Sequence, residues 1–490
     1  MASITTITDE ARIAIDNVVG TLLGGGTPTL RLGVTGLSRA GKTVFITALV
    51  HNLVHGGRLP LFEAYASGRL ADARLQPQPD DDVPRFDYEA HVHDLVTERV
   101  WPRSTRRISE LRLTLQFESA SGLRRRLGRG RLNLDIVDYP GEWLLDLALL
   151  RKSYAEWSSE AVRLSKESHR AGLAAEFHGA LARVTPDGPE DEGAARELAE
   201  AFTRYLRAAR ADEHALSMLP PGRFLMPGDL EGSPALTFSP LDVPPDHRAG
   251  RDTLAAMMER RYEAYRSHVV KPFFRDHFAR LDRQIVLVDM LAALNAGPAA
   301  MRDLEGALAD VLACFRPGRA SWLTSILTRR IDRILFVATK ADHVHHTDHE
   351  NLARLLARLT KQAAVRAAFA GAEVRVMPLA AVRATREVTI DRRGESLPAL
   401  VGTPIAGERV DGETYDGKTE IALFPGDLPG DPDILFEAGA RSGMSKDAAT
   451  LRYLRFRPPR LERTAEGMTL SLPHIRLDQA IEYLVGDRLR

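Results

Sequence analysis

Disulfides are excluded at the outset, because the 490-residue chain holds one cysteine, Cys314. That residue sits in the apolar helical pattern LADVLACF, reads as a core position, and fits a reducing compartment such as the cytoplasm. Net charge is missing as well: 66 Lys and Arg balance 66 Asp and Glu. No global electrostatic pull toward nucleic acid or a membrane is therefore expected, and no nucleic-acid partner is predicted. No run reaches the roughly 20 apolar residues of a spanning helix. The first residues carry no basic segment followed by an apolar stretch, so no signal peptide is expected. Repeats and low-complexity tracts do not stand out.

Core material is ample, with 44% of residues hydrophobic, in a chain longer than one core usually organises. Residues Thr8 to Leu23 have helical spacing and end in Gly24, Gly25 and Gly26, which predicts a leading helix. Short β-rich apolar runs follow at RLGVT (31–35), ELRLTLQF (110–117), LNLDIVD (132–138), RQIVLVDM (283–290), RILFVATK (333–340) and EVRVMPL (373–379). Separated by helical stretches, they predict an α/β fold with a mostly parallel sheet and helices on both faces. Long Ala, Glu, Arg and Leu-rich stretches between the third and fourth runs predict a large helical insertion, broken by a Pro and Gly-rich loop over 219–246. After Pro398 the Gly and Pro punctuation predicts a small C-terminal α+β subdomain that ends in a helix near Leu477 to Leu489.

The first strand runs into Gly36-Leu37-Ser38-Arg39-Ala40-Gly41-Lys42-Thr43, a match to G-x-x-x-x-G-K-[ST], and Val44 to Val54 has helical character. Glycines at these positions let successive backbone N–H groups turn inward, and the helix that follows adds its positive end, so the loop forms an anion nest. Gly36, Ser38, Arg39, Ala40, Gly41, Lys42, Thr43 and Val44 are thus the predicted phosphate contacts. Lys42 would reach the terminal phosphates and Thr43 would place its hydroxyl on Mg²⁺.

A strand-end carboxylate beside this loop is the expected acceptor for water on Mg²⁺, and Asp138 in Asp138-Tyr139-Pro140-Gly141-Glu142 is the candidate. Asp289, at the end of the next strand, competes but lacks the D-x-x-G context. Gly141 would offer its N–H to the γ-phosphate. After RILFVATK, the run Thr339-Lys340-Ala341-Asp342 is a variant of N-K-x-D. Asp342 can accept from guanine N1–H and the N2 amino group, whereas adenine offers neither donor. Lys340 would lay its stem along the base, and Thr339 stands where Asn is usual. Ala381 and Val382, in AAVRA (380–384), would close the base pocket.

The ordered set GLSRAGKT, DYPGE and TKAD resembles GTPases of the Ras and Gα type interrupted by a helical insert. More closely, GLSRAGKT, WPRST with ISELRLTL, DYPGEW, RQIVLVDML and FPGDLP together resemble the YcjX-like family of bacterial P-loop proteins, over most of the chain. That resemblance implies a P-loop NTPase of G domain-like fold that binds GTP or GDP with Mg²⁺, hydrolyses GTP, and is linked to stress responses. The expected division is an N-terminal helix over 1–30, a G domain in two parts over 31–143 and 282–398, a helical insertion over 144–281 and a C-terminal subdomain over 399–490.

Within this frame Thr105 is the predicted γ-phosphate and Mg²⁺ sensor. Arg103, or second Arg106, is the candidate for a cis-acting positive charge on the transferring phosphoryl group. Glu142 occupies the place of a water-orienting Gln. A carboxylate there can orient water but repels the γ-phosphate, which predicts slow turnover.

Arg124, Arg125, Arg126, Arg129 and Arg131 read as a solvated turn, with acidic-lipid or partner contact as the lesser alternative. His343, His345, His346 and His349 lack accompanying cysteines and read as an exposed loop and helix start rather than a Zn²⁺ site. Three functions stay open: a GTP-hydrolysing switch with a protein effector on the insertion or C-terminal subdomain, an ATPase or P-loop kinase, and a nucleotide-gated scaffold that barely hydrolyses.

Overall fold

The computed structural model describes residues 27–37, 39–120, 129–211, 214, 216–277, 280–312, 331–369, 371–392, 395–410, 412–436, 453–461 and 471–490. The leading helix, Ser38, Arg124, Arg125, Arg126 and Cys314 lie outside these residues.

Strand β1 (Thr29–Gly36) is central, paired in parallel with β4 (Gly130–Asp138) on one side and β5 (Arg283–Val288) on the other. Beyond β5 lie β6 (Arg333–Ala338) and β7 (Glu373–Pro378), both parallel. Beyond β4 lie β3 (Ser109–Phe117), antiparallel, and the edge strand β2 (Leu70–Gln76), giving the order β2-β3-β4-β1-β5-β6-β7. The sheet is that of a P-loop NTPase-like α/β protein, and β3 alone runs against its neighbours.

Alternate residues of each central strand feed opposite faces, as the two-residue strand period requires. Leu30, Leu32, Val34, Ile285, Leu287, Leu335 and Val337 pack on one side; Val286, Val288, Ile334, Phe336 and Ala338 pack on the other. With both faces covered, RQIVLV of β5 is buried throughout, which explains why its apolar run reads so clearly. Strand β2 was not predicted. Its sequence LADARLQ buries only Ala73, an edge-strand pattern without an apolar run.

The longer helices are α1 (Lys42–Val54), α2 (Tyr154–Ser165), α3 (Glu192–Ala209), α4 (Leu254–Tyr265), α5 (Pro298–Leu312), α6 (His349–Phe369) and α7 (Leu477–Val485). Helices α1 and α7 cover the first face and α5 and α6 the second. Helices α2, α3 and α4 lie between β4 and β5 in the chain. They pack around Trp157, which stacks on Tyr262 at 5.2 Å and meets Phe202 and Phe238 edge-on. This aromatic core is continuous with the second face of the sheet. Ser153 and Glu156 close a reciprocal capping box at the start of α2.

Two features differ from the expected division. Strand β8 (Arg386–Arg392), placed by sequence in the second part of the G domain, pairs with β9 (Glu395–Gly402) in a separate small sheet. The hairpin β10 (Arg409–Val410) and β11 (Glu413–Thr414) follows, and β12 (Ile421–Leu423) completes that sheet. Conversely, the terminal helix expected in the C-terminal subdomain docks on the main sheet: Leu477, Ala480, Ile481 and Leu484 join its core. The buried Arg283 guanidinium anchors it by donating to Asp487 and the Leu484 carbonyl. No helix among the described residues is long and apolar enough to cross a membrane.

Candidate functional site

The phosphate loop bridges the end of β1 and the start of α1. Gly41 precedes α1 at φ 84°, a left-handed conformation that glycine adopts without a Cβ penalty, and Arg39 adopts φ 64° in the same turn. The Lys42 ammonium folds back to donate to the Gly36 carbonyl at 3.1 Å. Burial lowers its pKa from the ordinary lysine value, and the nearby Asp138 and Glu142 carboxylates oppose that shift. Gly141 presses against the same loop. A Cβ there would lie 2.2 Å from the Gly36 oxygen and 2.8 Å from Lys42 Nζ, so only glycine fits.

Three oxygens converge beside Lys42. Thr43 Oγ1 lies 3.2 Å from Thr105 Oγ1, and Thr105 Oγ1 donates to Asp138 Oδ2 at 2.5 Å. The other carboxylate oxygen, Asp138 Oδ1, is buried without a hydrogen-bond partner. Burial pushes the Asp138 carboxyl up to about 6, with Lys42 and the Thr105 hydroxyl pulling the other way. Two hydroxyls and an orphaned carboxylate oxygen form an all-oxygen donor set, which fits Mg²⁺.

Across the cavity, Asp342 is buried at the end of the loop after β6. Its carboxylate accepts from Ala384 N at 2.7 Å and pairs with His343 Nδ1 at 3.2 Å. Burial alone would raise its pKa, but His343 and the Ala384 N–H outweigh it and hold the group below the ordinary aspartate value. The Thr385 hydroxyl clamps the Asp342 carbonyl. Thr339 Oγ1 donates to the Val288 carbonyl at 3.2 Å, so the residue in the usual Asn position is tied to β5. Lys340, at φ 59°, sends its ammonium 2.5 Å from Asp289 Oδ2.

One cavity of about 370 Å³ joins the two ends. Arg39, Ala40, Gly41, Lys42, Thr43, Val44, Thr105, Gly141, Glu142, Thr339, Lys340, Asp342, Ala381 and Val382 line it. Gly36 and Asp138 stand directly behind that lining, in contact with Lys42 and Thr105. Asp289 is separate from the Thr43–Thr105–Asp138 group: it caps the helix Met290–Ala296 by accepting from Leu291 N at 3.2 Å.

The profile described as "YcjX-like family, DUF463" matches residues 30–489. The chain belongs to the YcjX-like family. It is similar to "Ras-like GTPase YcjX" of Escherichia coli (strain K12), 39% identical over 472 residues that cover 94% of this chain and 96% of the relative. A protein of the same name from Shewanella oneidensis is 34% identical over 482 residues, covering 94% of each chain. The family match thus runs from β1 to the last turn beyond α7, across every site residue described above.

Several residues of this YcjX-like chain depart from the sequence expectation. Arg103 is exposed and absent from the cavity lining. Arg106 is exposed too. Glu142, expected in the place of a water-orienting Gln, lines the cavity but is buried and ion-paired with Arg210 at 2.6 Å. Of the histidines after Asp342, His346 is exposed and His349 opens α6, but His343 and His349 are buried, and His349 Nε2 meets the Ala341 carbonyl at 2.8 Å. His345, His346 and Glu387 bring their donor atoms within 4.8 Å of one another. His346 Nδ1 lies 2.7 Å and His345 Nε2 3.8 Å from the same oxygen, Glu387 Oε2.

Sequence reasoning missed four contributors. Trp101 lines the cavity and donates from Nε1 to the Phe456 carbonyl at 2.6 Å. Phe456 and Arg455 bring the C-terminal segment to the same wall. Arg210 arrives from the end of α3. No local pattern marks Arg210, because its partner lies on a different element. A second cavity of about 440 Å³ adjoins the first, sharing Gly141 and Glu142 and reaching Arg210, Asp289 and Leu291.

Proposed function

We propose that this protein binds GTP and GDP and slowly hydrolyses GTP with Mg²⁺, as a switch whose nucleotide state alters the packing of the segment after Gly141. The observation that carries this reading is the single cavity with Lys42, Thr43 and Gly141 at one end and Asp342 and Ala381 at the other. The names of its relatives support the same activity. Lys42 and the backbone amides of Arg39 to Thr43 would hold the β- and γ-phosphates, and Thr43, Thr105 and Asp138 would hold the cation directly or through water. When bound, Mg²⁺ neutralises charge on those phosphates. A water oxygen attacks the γ-phosphorus, the bond to the β–γ bridging oxygen breaks with its electron pair left on GDP, and both water protons leave on the phosphate, which passes one to solvent at neutral pH. Gly141 would donate its N–H to the γ-phosphate. Glu142 would orient water only once freed from Arg210, which favours slow turnover.

Residues 31–143 and 282–398 would form most of the nucleotide-binding body, with the insertion and C-terminal segments offering surface to a protein effector. A cytoplasmic, stress-related output is our extension of the family resemblance. It predicts that a strain carrying Lys42→Ala recovers from heat shock like a deletion strain. A scaffold that scarcely hydrolyses is the second reading, favoured by the Arg210–Glu142 pair. The deciding measurement is affinity for GTP, GDP and ATP with Mg²⁺. Guanine nucleotides should bind at least tenfold tighter than ATP, and equal binding of ATP would overturn guanine selectivity.

A further inference from the structure

The carboxylate of Glu142 creates an electrostatic problem at the phosphate end of the cavity. Its side chain is 4% exposed, and it follows the glycine that touches Lys42 Nζ and the Gly36 carbonyl. A buried anion at this point opposes entry of a γ-phosphate, which carries most of the charge distinguishing GTP from GDP. The structure offsets that anion from the insertion. Arg210, immediately after α3, brings Nη2 to 2.6 Å from Glu142 Oε1.

The rest of the insertion grips the same segment. Residues Gly141 to Leu150 are buried in a run of 3-10 turns. The Gly222 N–H and the Tyr265 hydroxyl both donate to Asp146 at 2.7 Å. Trp143 Nε1 donates to the Met226 carbonyl at 2.8 Å, and the Arg223 guanidinium stacks on the Trp143 ring. Gly222 packs so closely that a Cβ would meet the Glu142 carbonyl at 1.7 Å. Arg210 therefore acts on a segment that the insertion contacts at several further points, so a change in the packing of one reaches the other. Other charges face this point too: Lys42 and Arg39 of the phosphate loop, Asp138 beside Lys42, Arg455 of the C-terminal segment and Asp289, paired with Lys340.

We propose that Arg210 is a positioning residue: by neutralising Glu142 it makes the phosphate end accept a triphosphate, and so couples the helical insertion to the presence of the γ-phosphate. This rests on the GTP reading. Arg210 lines the second cavity and is absent from the lining of the first, so it is placed to act through its Glu142 partner, although its charge also reaches Lys42 and Arg39. Loss of its charge should weaken triphosphate binding and spare the diphosphate. Removing the Glu142 charge as well should restore what was lost.

The test uses the full chain with Mg²⁺ and compares a non-hydrolysable GTP analogue with GDP by calorimetry. Arg210→Gln should weaken the analogue by tenfold or more and change GDP by less than about threefold. Arg210→Lys should retain most of the analogue affinity, and Arg210→Gln with Glu142→Gln should return it to within about threefold of wild type. Equal weakening of both nucleotides, no weakening of either, or failure of the double variant to recover would overturn the proposal. A wild type that binds GDP and analogue while Arg210→Gln behaves identically removes the Arg210 role alone. A wild type that binds neither removes the GTP reading and this role with it.

Discussion

The Thr105 hydroxyl donates to Asp138 across 33 positions of sequence, joining the loop before β3 to the end of β4. Asp138 Oδ1 is buried without a side-chain partner, which leaves it available to a cation. The folded protein carries a cost here that ligand binding can relieve.

Asp138→Asn keeps the acceptor for Thr105 and removes the charge. Burial raises the Asp138 pKa from its ordinary value to about 6. A carboxyl raised in the folded state contributes stability that is full below its unfolded pKa and lost as pH rises through about 6. The ligand-free Asn variant should therefore be more stable than wild type at pH 8, by about 1–2 kcal/mol, and lose Mg²⁺-dependent nucleotide binding. Urea melts at pH 8 and a Mg²⁺ titration of nucleotide affinity check both. A variant less stable than wild type at that pH would refute the charge argument.

The same titration acts on binding with the opposite sign. As pH falls from 7.5 to 5, Asp138 gains its proton and ceases to attract Mg²⁺, so wild-type GTP affinity should drop about tenfold or more around pH 6. The Asn variant should have lost that pH-dependent step. Calorimetry in buffers of matched ionic strength distinguishes this from a general salt effect.

Gly141→Ala asks for space that is absent, since the added carbon would sit 2.2 Å from the Gly36 oxygen and 2.8 Å from Lys42 Nζ. Backbone atoms must move, at a cost of about 1–3 kcal/mol in stability. Nucleotide affinity should fall at least tenfold because the phosphate loop is what gives way. A variant with wild-type affinity and melting temperature would show that the loop and the segment after Asp138 are not in contact.

What could be read from the sequence and what could not divides along chain distance. Eight consecutive residues, Gly36 to Thr43, carry their own geometry, and Asp138 and Asp342 follow apolar strands whose burial on both faces makes them conspicuous. Strand β2 was invisible because an edge strand needs no apolar run, and Ala73 is its one fully buried residue. Docking of α7 on the main sheet depends on Arg283 meeting Asp487, a pairing between distant segments with no local signature. Arg103 was favoured by proximity to Thr105 in sequence, yet it is exposed and absent from the cavity lining. Arg210 reaches Glu142 through the folding of α3, which composition and spacing do not encode.

Asp342→Ala separates base selection from phosphate grip. The Asp342 carboxylate already accepts from the Ala384 N–H and contacts His343, so it is oriented before any base arrives, and its lowered pKa keeps it charged across the neutral range. Loss of a charged acceptor facing two guanine donors should cost GTP and GDP about a hundredfold in affinity, whereas ATP, which offers neither donor, should change by less than about threefold. The variant also leaves the Ala384 N–H without its acceptor, a stability loss of about 1–3 kcal/mol. A thermal melt must therefore accompany the binding data. If GTP and ATP weaken in parallel, local collapse of the loop explains the result and Asp342 does not read the base. If GTP weakens alone in a variant that still melts cooperatively, guanine choice resides in this carboxylate.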